Sequence, residues 1–251
     1  MSGPFRLDHV AVAVASMADT TRFIVGELGG EPVDGGPGFG FRGAQWRFAG
    51  GGRLEVIEPV GARDGFLHRF VDARGPGVHH VTFKVPDLNA AIAKARAHGT
   101  TIAAVYDSNP SWKEGFLHPK SAMGIVVQFA ESHPELGQGE WSADFPFPES
   151  PPAKSPPATL LGLELTARSR ARAIAQWAEL LGGDIEEEAE ERVVFRWDES
   201  PLRISVLVDE RSSEGARRIE LSCERALELP HGAHPVIGAE FVNVLKPHPR
   251  H

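Results

Sequence analysis

One segment occurs twice within the first 131 residues. LDHVAVAVASMADTTRFIVGELGG and VHHVTFKVPDLNAAIAKARAHGT superpose at an offset of 71 residues, placing His9 on His80, Val10 on Val81, Val12 on Phe83, Val14 on Val85 and Met17 on Leu88. Each copy reads as a period-two strand followed by an amphipathic helix that a glycine closes. AQWRF and RLEVIEP add strands to the first copy, EGFLH and GIVVQFA to the second. A repeat of this length constrains the fold more than any short motif. It predicts an α+β fold of tandem β-α-β-β-β modules, spanning 6–59 and 77–131, that form cupped mixed sheets with helices on the outer face.

A weaker third copy, LGLELTARSRARAIAQWAELLGGD, aligns with the first at an offset of 153 and sets Gly29 and Gly30 on Gly182 and Gly183. RVVFRW and LRISVLVDE supply its later strands, and the remainder is short enough for a trimmed fourth module. Between the second and third copies, residues 132–158 hold 7 of the 20 prolines, which favours an extended linker or surface strap. The expected organisation is therefore a metal-binding domain at 1–131, a Pro-rich linker at 132–158 and degenerate, metal-free modules at 159–251. The run IEEEAEER reads as a solvated strand and turn.

Composition narrows the function classes. The 251 residues carry 26 Lys+Arg against 34 Asp+Glu, a net charge of −8, with no basic cluster to bind nucleic acid. No apolar run reaches the roughly 18–20 residues that span a bilayer, and MSGPFRLDHV has no apolar signal core. The lone Cys223 excludes an intrachain disulfide and a thiolate metal cage. These features lead us to expect a cytoplasmic protein that binds a small molecule and neither nucleic acid nor membrane. Its halves pair either internally or as a homodimer through the first part.

Strand alternation then selects candidate site residues. Val10, Val12 and Val14 share the helix-facing side of their strand, leaving His9, Ala11 and Ala13 on the other. By the same parity His80, Thr82 and Lys84 oppose Val81, Phe83 and Val85; Glu55 opposes Leu54 and Val56; Gln128 opposes Val127 and Phe129. His9 precedes Glu55 by 46 residues and His80 precedes Gln128 by 48. A single histidine at a strand start is usually structural, but four polar residues matched in parity and modular place point to a metal site. Imidazole nitrogens with carboxylate and amide oxygens suit Zn, Ni, Co, Mn or Fe(II). His79 has the opposite parity and reads as structural. His118, in FLHP, is an accessory ligand or a packing residue, whereas Asp8, His68 and the C-terminal PHPRH join no constellation.

With LDHVAVAV, RLEVIEP, GVHHVTFKV and FLHPKSAMGIVVQFA in view, the first 131 residues resemble the vicinal oxygen chelate superfamily of glyoxalases, bleomycin-binding proteins and extradiol dioxygenases. Within it they look most like the methylmalonyl-CoA epimerases, including the HPKS turn. The resemblance implies a divalent metal on His9, Glu55, His80 and Gln128. It also implies a substrate chelated through two neighbouring oxygens and a proton removed next to a polarised carbonyl. One feature departs from the epimerase pattern, which has Gln at the place of Glu55 and Glu at the place of Gln128. With one carboxylate and three neutral ligands the site keeps a formal charge of +1, more electrophilic than a two-carboxylate site. Glu55, the one carboxylate of the set, is then the expected catalytic base.

Lys84, Arg47 and Lys113 are candidate partners for an anionic substrate, and SNPSWKEGF with Trp112 is either a lid or ordinary loop packing. In the third copy Gly162, Ser205 and Arg218 stand where His9, Glu55 and His80 stand, so no metal is expected there. The expected activity is a metal-dependent lyase or isomerase, with an acyl-CoA among its candidate substrates. The alternatives are an Fe(II) oxygenase of the same superfamily and a metal-independent binder of a drug or metabolite.

Overall fold

The computed structural model of the chain describes residues 5–136, 141–142 and 144–244. The PHPRH tail and parts of the Pro-rich segment lie outside these. The fold is mixed α+β. The first module runs through β1 (Arg6–Ala13), a helical segment, β2 (Glu31–Gly38), β3 (Phe41–Arg47) and β4 (Arg53–Pro59). Helix α1 (Phe66–Arg74) leads to the second module: β5 (Gly77–Lys84), α2 (Leu88–Ala97), β6 (Ile102–Tyr106), β7 (Trp112–Leu117) and β8 (Val126–Ser132). The third comprises β9 (Thr159–Ala167), α3 (Arg170–Ile174), β10 (Asp184–Glu188), β11 (Arg192–Arg196) and β12 (Arg203–Val208); β13 (Gly215–Ser222) and β14 (Glu240–Asn243) follow without a helix.

Two sheets result. The first has the order β2-β3-β4-β1-β5-β8-β7-β6, so each module contributes four strands and the repeated strands β1 and β5 are neighbours. The second has the order β10-β11-β12-β9-β13-β14. Of SNPSWKEGF, residues 108–111 form the turn before β7 and the remaining five residues lie in the strand itself. The acidic run forms β10, an exposed edge strand whose Glu186, Glu187 and Glu188 pair with Arg196, Arg192 and Arg170. No helix among the described residues is long and apolar enough to cross a membrane.

Val10, Val12, Val14, Leu54, Val56, Val81, Phe83, Val127 and Phe129 are buried, and so are Ala11, Ala13, Ile57, Thr82 and Ala130 on the opposite faces of the same strands. The spacing Glu55-x-x-Glu58 and Gln128-x-x-Glu131 puts the second member of each pair on the opposite face from the first. There the two carboxylates do the same job. Glu58 accepts from the Met17 N–H and Glu131 from the Leu88 N–H at 2.7 Å, satisfying the first donors of repeat-equivalent helical segments. Gly29 and Gly182 end their helical segments at φ +76° and +72°, left-handed backbone that a glycine adopts without strain.

The first helical segment differs from the expected α-helix. It is a 3-10 turn at Ala18–Thr20 followed by a π-helical stretch, Arg22–Glu27, with Leu28 N–H donating to Phe23 C=O. The repeat-equivalent stretch Ala175–Leu180 of the third module is π-helical as well, although Ala, Gln, Glu and Leu favour the α-helix, so the wider turn belongs to the module and not to weak helix propensity.

The chain divides into two compact units. One comprises Met1–His9, His79–Gly139 and Gly162–Arg217. In it Phe83 lies 5.0 Å from Trp197 and 6.4 Å from Trp177 between ring centroids, and the Lys94 ammonium donates to Leu180 C=O at 2.6 Å. The other comprises Val10–Val78, Glu140–Leu161 and Arg218–His251. In it the described parts of the Pro-rich segment are strapped to the first helical segment. The Thr21 hydroxyl donates to Glu149 C=O at 3.0 Å, Lys154 N–H donates to Gly26 C=O at 2.9 Å, and buried Glu27 pairs with Lys154 and Arg225.

Glu131 carries a pH consequence. Burial raises its pKa, but the Leu88 N–H, Lys113 and His133 outweigh burial and hold the carboxyl at about 2 against an ordinary 4.5. Its stabilisation is complete above pH 4.5 and is lost as pH falls toward 2. A shift of this size is worth up to about 3 kcal/mol. Urea unfolding at pH 6 and pH 3.5 is expected to show a larger acid loss for the wild type than for Glu131→Gln; equal losses would contradict this role.

Candidate metal centre

The site is built from strand starts. β1 presents His9, β5 presents His80 and β4 presents Glu55, and these three strands are consecutive in the first sheet. One ligand atom from each of His9, Glu55 and His80 lies within 4.8 Å of the other two, and all three side chains are buried, at 2%, 6% and 6% exposure. The His9 and His80 rings meet edge to face with centroids 5.9 Å apart. Donors about 2.1 Å from one ion lie at most about 4.2 Å apart, so small side-chain rotations bring this trio into one coordination sphere. The donor set and its spacing fit a divalent metal.

Gln128 is on the face expected of it. β5 and β8 pair in parallel with Thr82 opposite Gln128, and the two side chains share that face with His80. The Gln128 carbonyl oxygen accepts from the Thr82 hydroxyl at 2.6 Å, and its amide nitrogen donates to Glu114 Oε2 at 2.7 Å.

Two neighbours orient the imidazoles. His9 Nδ1 donates to Asp8 Oδ2 at 2.9 Å, which leaves Nε2 as the nitrogen able to bind a cation. Burial raises the Asp8 pKa, but His9, with Lys84 and Arg6, draws it down to about 2, so the acceptor is ionised. His79 Nδ1 lies 2.9 Å from His80 Nδ1, one nitrogen donating and the other accepting, which fixes the His80 ring. Sequence reasoning set Asp8 aside, although its one signal was visible: a carboxylate immediately before the first candidate ligand. Replacing Asp8 with Asn is expected to weaken Co²⁺ binding about 10–100-fold, read by visible-absorption titration; unchanged affinity would remove Asp8 from the site.

The other candidates separate by parity. Lys84 lies on the polar face, its ammonium 3.7 Å from the centre of the Trp112 ring. Lys113 points the other way and pairs with Glu131 at 2.7 Å, while Arg47 forms an exposed pair with Glu31. His118 Nδ1 accepts from Lys120 N–H within the HPKS turn, a local structural bond. The face that carries Glu55 turns apolar beyond it. Ile57 and Ala13 pack against Leu67, Phe70 and Val71 of α1, and Trp141 from the strap lies where a Cβ on Gly43 would go.

In the third module Ser205 pairs with Glu164 across β12 and β9. Guanidinium groups stand there, Arg192 donating to Ser205 at 3.1 Å and Arg217 to Glu164 at 3.0 Å. Among the described residues, no second cluster of His, Cys, Asp and Glu matches the first.

Comparison with known proteins bears on this geometry. Residues 8–116 match the family described as "Glyoxalase/Bleomycin resistance protein/Dioxygenase superfamily". Uncharacterized protein YqjC of Bacillus subtilis (strain 168) is 30% identical over 135 residues, covering 50% of this chain and 91% of that protein. Mitochondrial methylmalonyl-CoA epimerase of Homo sapiens is 26% identical over 144 residues, covering 51% of this chain and 74% of the enzyme. Over most of the chain the likeness is one of fold alone. A hypothetical protein from Staphylococcus aureus has a TM-score of 0.62 at 10% identity, covering 94% of this chain and 98% of that one. A mutant 4-hydroxymandelate synthase from Streptomyces coelicolor has a TM-score of 0.60 at 13% identity, covering 89% of this chain and 72% of that one.

Proposed function

The chain belongs to the Glyoxalase/Bleomycin resistance protein/Dioxygenase superfamily, and we propose that it is a metal-dependent lyase or isomerase that removes a proton next to a carbonyl. The observation that carries this reading is the buried trio His9, Glu55 and His80, with ligand atoms within 4.8 Å of one another. His9 would hold the ion through Nε2, the nitrogen its bond to Asp8 leaves, and His80 through a ring nitrogen. Glu55 and the Gln128 carbonyl oxygen complete the set. A bound divalent ion acts as a Lewis acid that polarises the substrate carbonyl and acidifies the neighbouring C–H.

The chain's own residues do the rest. Glu55 is the base of the set, and a carboxylate beside the carbonyl is placed to take the proton and return it. Gln128 cannot accept a proton at neutral pH, so the exchange runs through one base on this set. Lys84, on the same face, offers charge to an anionic substrate. Burial of the trio excludes water, which strengthens each of these interactions. The relatedness to a methylmalonyl-CoA epimerase supports an acyl-CoA as the first substrate class to test.

The test is deuterium wash-in. With Zn²⁺- or Co²⁺-loaded protein in D2O, methylmalonyl-CoA or a hemithioacetal is expected to gain deuterium at the carbon beside the carbonyl, and chelator treatment is expected to stop it. No wash-in with folded, metal-loaded protein would count against the reading. A second reading rests on the same trio, because two histidines and one carboxylate also describe an Fe(II) oxygenase triad. Oxygen uptake by the Fe²⁺-loaded protein with catecholic substrates would favour that alternative.

A further inference from the structure

A hydrogen-bond string on the polar face of the second module has a fixed direction. Trp112 and Glu114 on β7 and Gln128 on β8 share one face, because the antiparallel register sets Phe116 opposite Gln128 and Glu114 opposite Ala130. Glu114 Oε2 receives two donors, Trp112 Nε1 at 3.0 Å and Gln128 Nε2 at 2.7 Å. An indole N–H can only donate, so the oxygen it meets must accept. The carboxylate oxygen that accepts from the indole also accepts the N–H of Gln128. The carboxamide is left one orientation, with Oε1 turned away toward the Thr82 hydroxyl 2.6 Å distant. That direction matters because the oxygen of a carboxamide ligates a divalent ion and its nitrogen does not. A carbonyl oxygen has two lone pairs, so the one not used by Thr82 remains available.

We propose that Glu114 is a positioning residue: through Trp112 and Gln128 it selects the carboxamide orientation that presents oxygen, rather than nitrogen, on the His80–Thr82 side of the sheet. This rests on the reading of Gln128 as a metal ligand. It also accounts for a neutral amide serving where the epimerase-like pattern has a carboxylate. A carboxylate presents oxygen whichever way it turns, whereas an amide needs a neighbour to orient it.

Co²⁺ binding followed by visible absorption tests the proposal on the full chain. Glu114→Leu, which removes the acceptor that Trp112 and Gln128 share, is expected to weaken binding about 10–100-fold. The double variant Glu114→Leu with Gln128→Glu is expected to recover most of that loss. Equal affinity of wild type and Glu114→Leu would overturn the positioning role while leaving the metal centre intact. Failure of the wild type itself to bind Co²⁺ would overturn the metal reading instead, and this proposal with it. A second measurement needs no variant. In ¹⁵N-labelled wild type, the Gln128 side-chain amide protons and the Trp112 indole proton converge on one oxygen and are expected to show a mutual nuclear Overhauser effect. Its absence in the folded, assigned protein would mean the amide is turned the other way.

Discussion

Glu55→Gln is expected to slow metal-dependent proton exchange about 10²–10⁴-fold, the range in which a positioned acid or base contributes. Gln keeps the shape and an oxygen donor but cannot take a proton. The variant therefore separates two tasks that the carboxylate performs together. The trio's burial makes wholesale rearrangement around an isosteric replacement unfavourable. Substrate KM is expected to change much less than kcat, because the loss falls on the step in which the proton moves. A rate within threefold of wild type would assign the base elsewhere. Glu114 is the carboxylate to examine next, as it shares a face with Gln128.

His80→Ala is expected to produce a larger loss of metal. Replacing an outer partner of a ligand typically costs 10–100-fold in affinity, so removing a ligand should cost more than about 100-fold. His9→Ala should match it, because His9 and His80 occupy repeat-equivalent places on neighbouring strands. Each change also opens a small cavity, at a cost of order 1–3 kcal/mol. Urea unfolding of the variants is therefore read alongside metal titration. Variants that stay folded and still bind metal with wild-type affinity would show that the imidazoles are packing groups.

Much of this site was legible from period-two alternation alone. The valine and phenylalanine positions marked one face of each strand, and the same rule placed His9, Glu55, His80 and Gln128 together on the other, which is buried as well. The repeat then made four separate weak signals into one. Other features left less trace. Strand β2, EPVDGGPG, is an edge strand rich in Gly and Pro, so it carries no alternating pattern to read. Helix α1 buries only Leu67 fully, too little to mark a periodic face in so short a segment. Asp8 and His79 are discounted on the sequence, each adjoining a candidate ligand with the opposite parity. Their side chains nevertheless reach the neighbouring ring at 2.9 Å, a contact that alternation does not anticipate. The separation of Lys84 from Lys113 and Arg47, by contrast, follows from parity and register once the strands are placed.

The direct test of the metal centre is elemental analysis of the purified full chain after loading with Co²⁺, Zn²⁺ or Ni²⁺ and desalting. About one equivalent of divalent metal per folded chain, reduced to background in both His9→Ala and His80→Ala, is the predicted result. Folded wild-type protein that retains no metal from any of the three would contradict it.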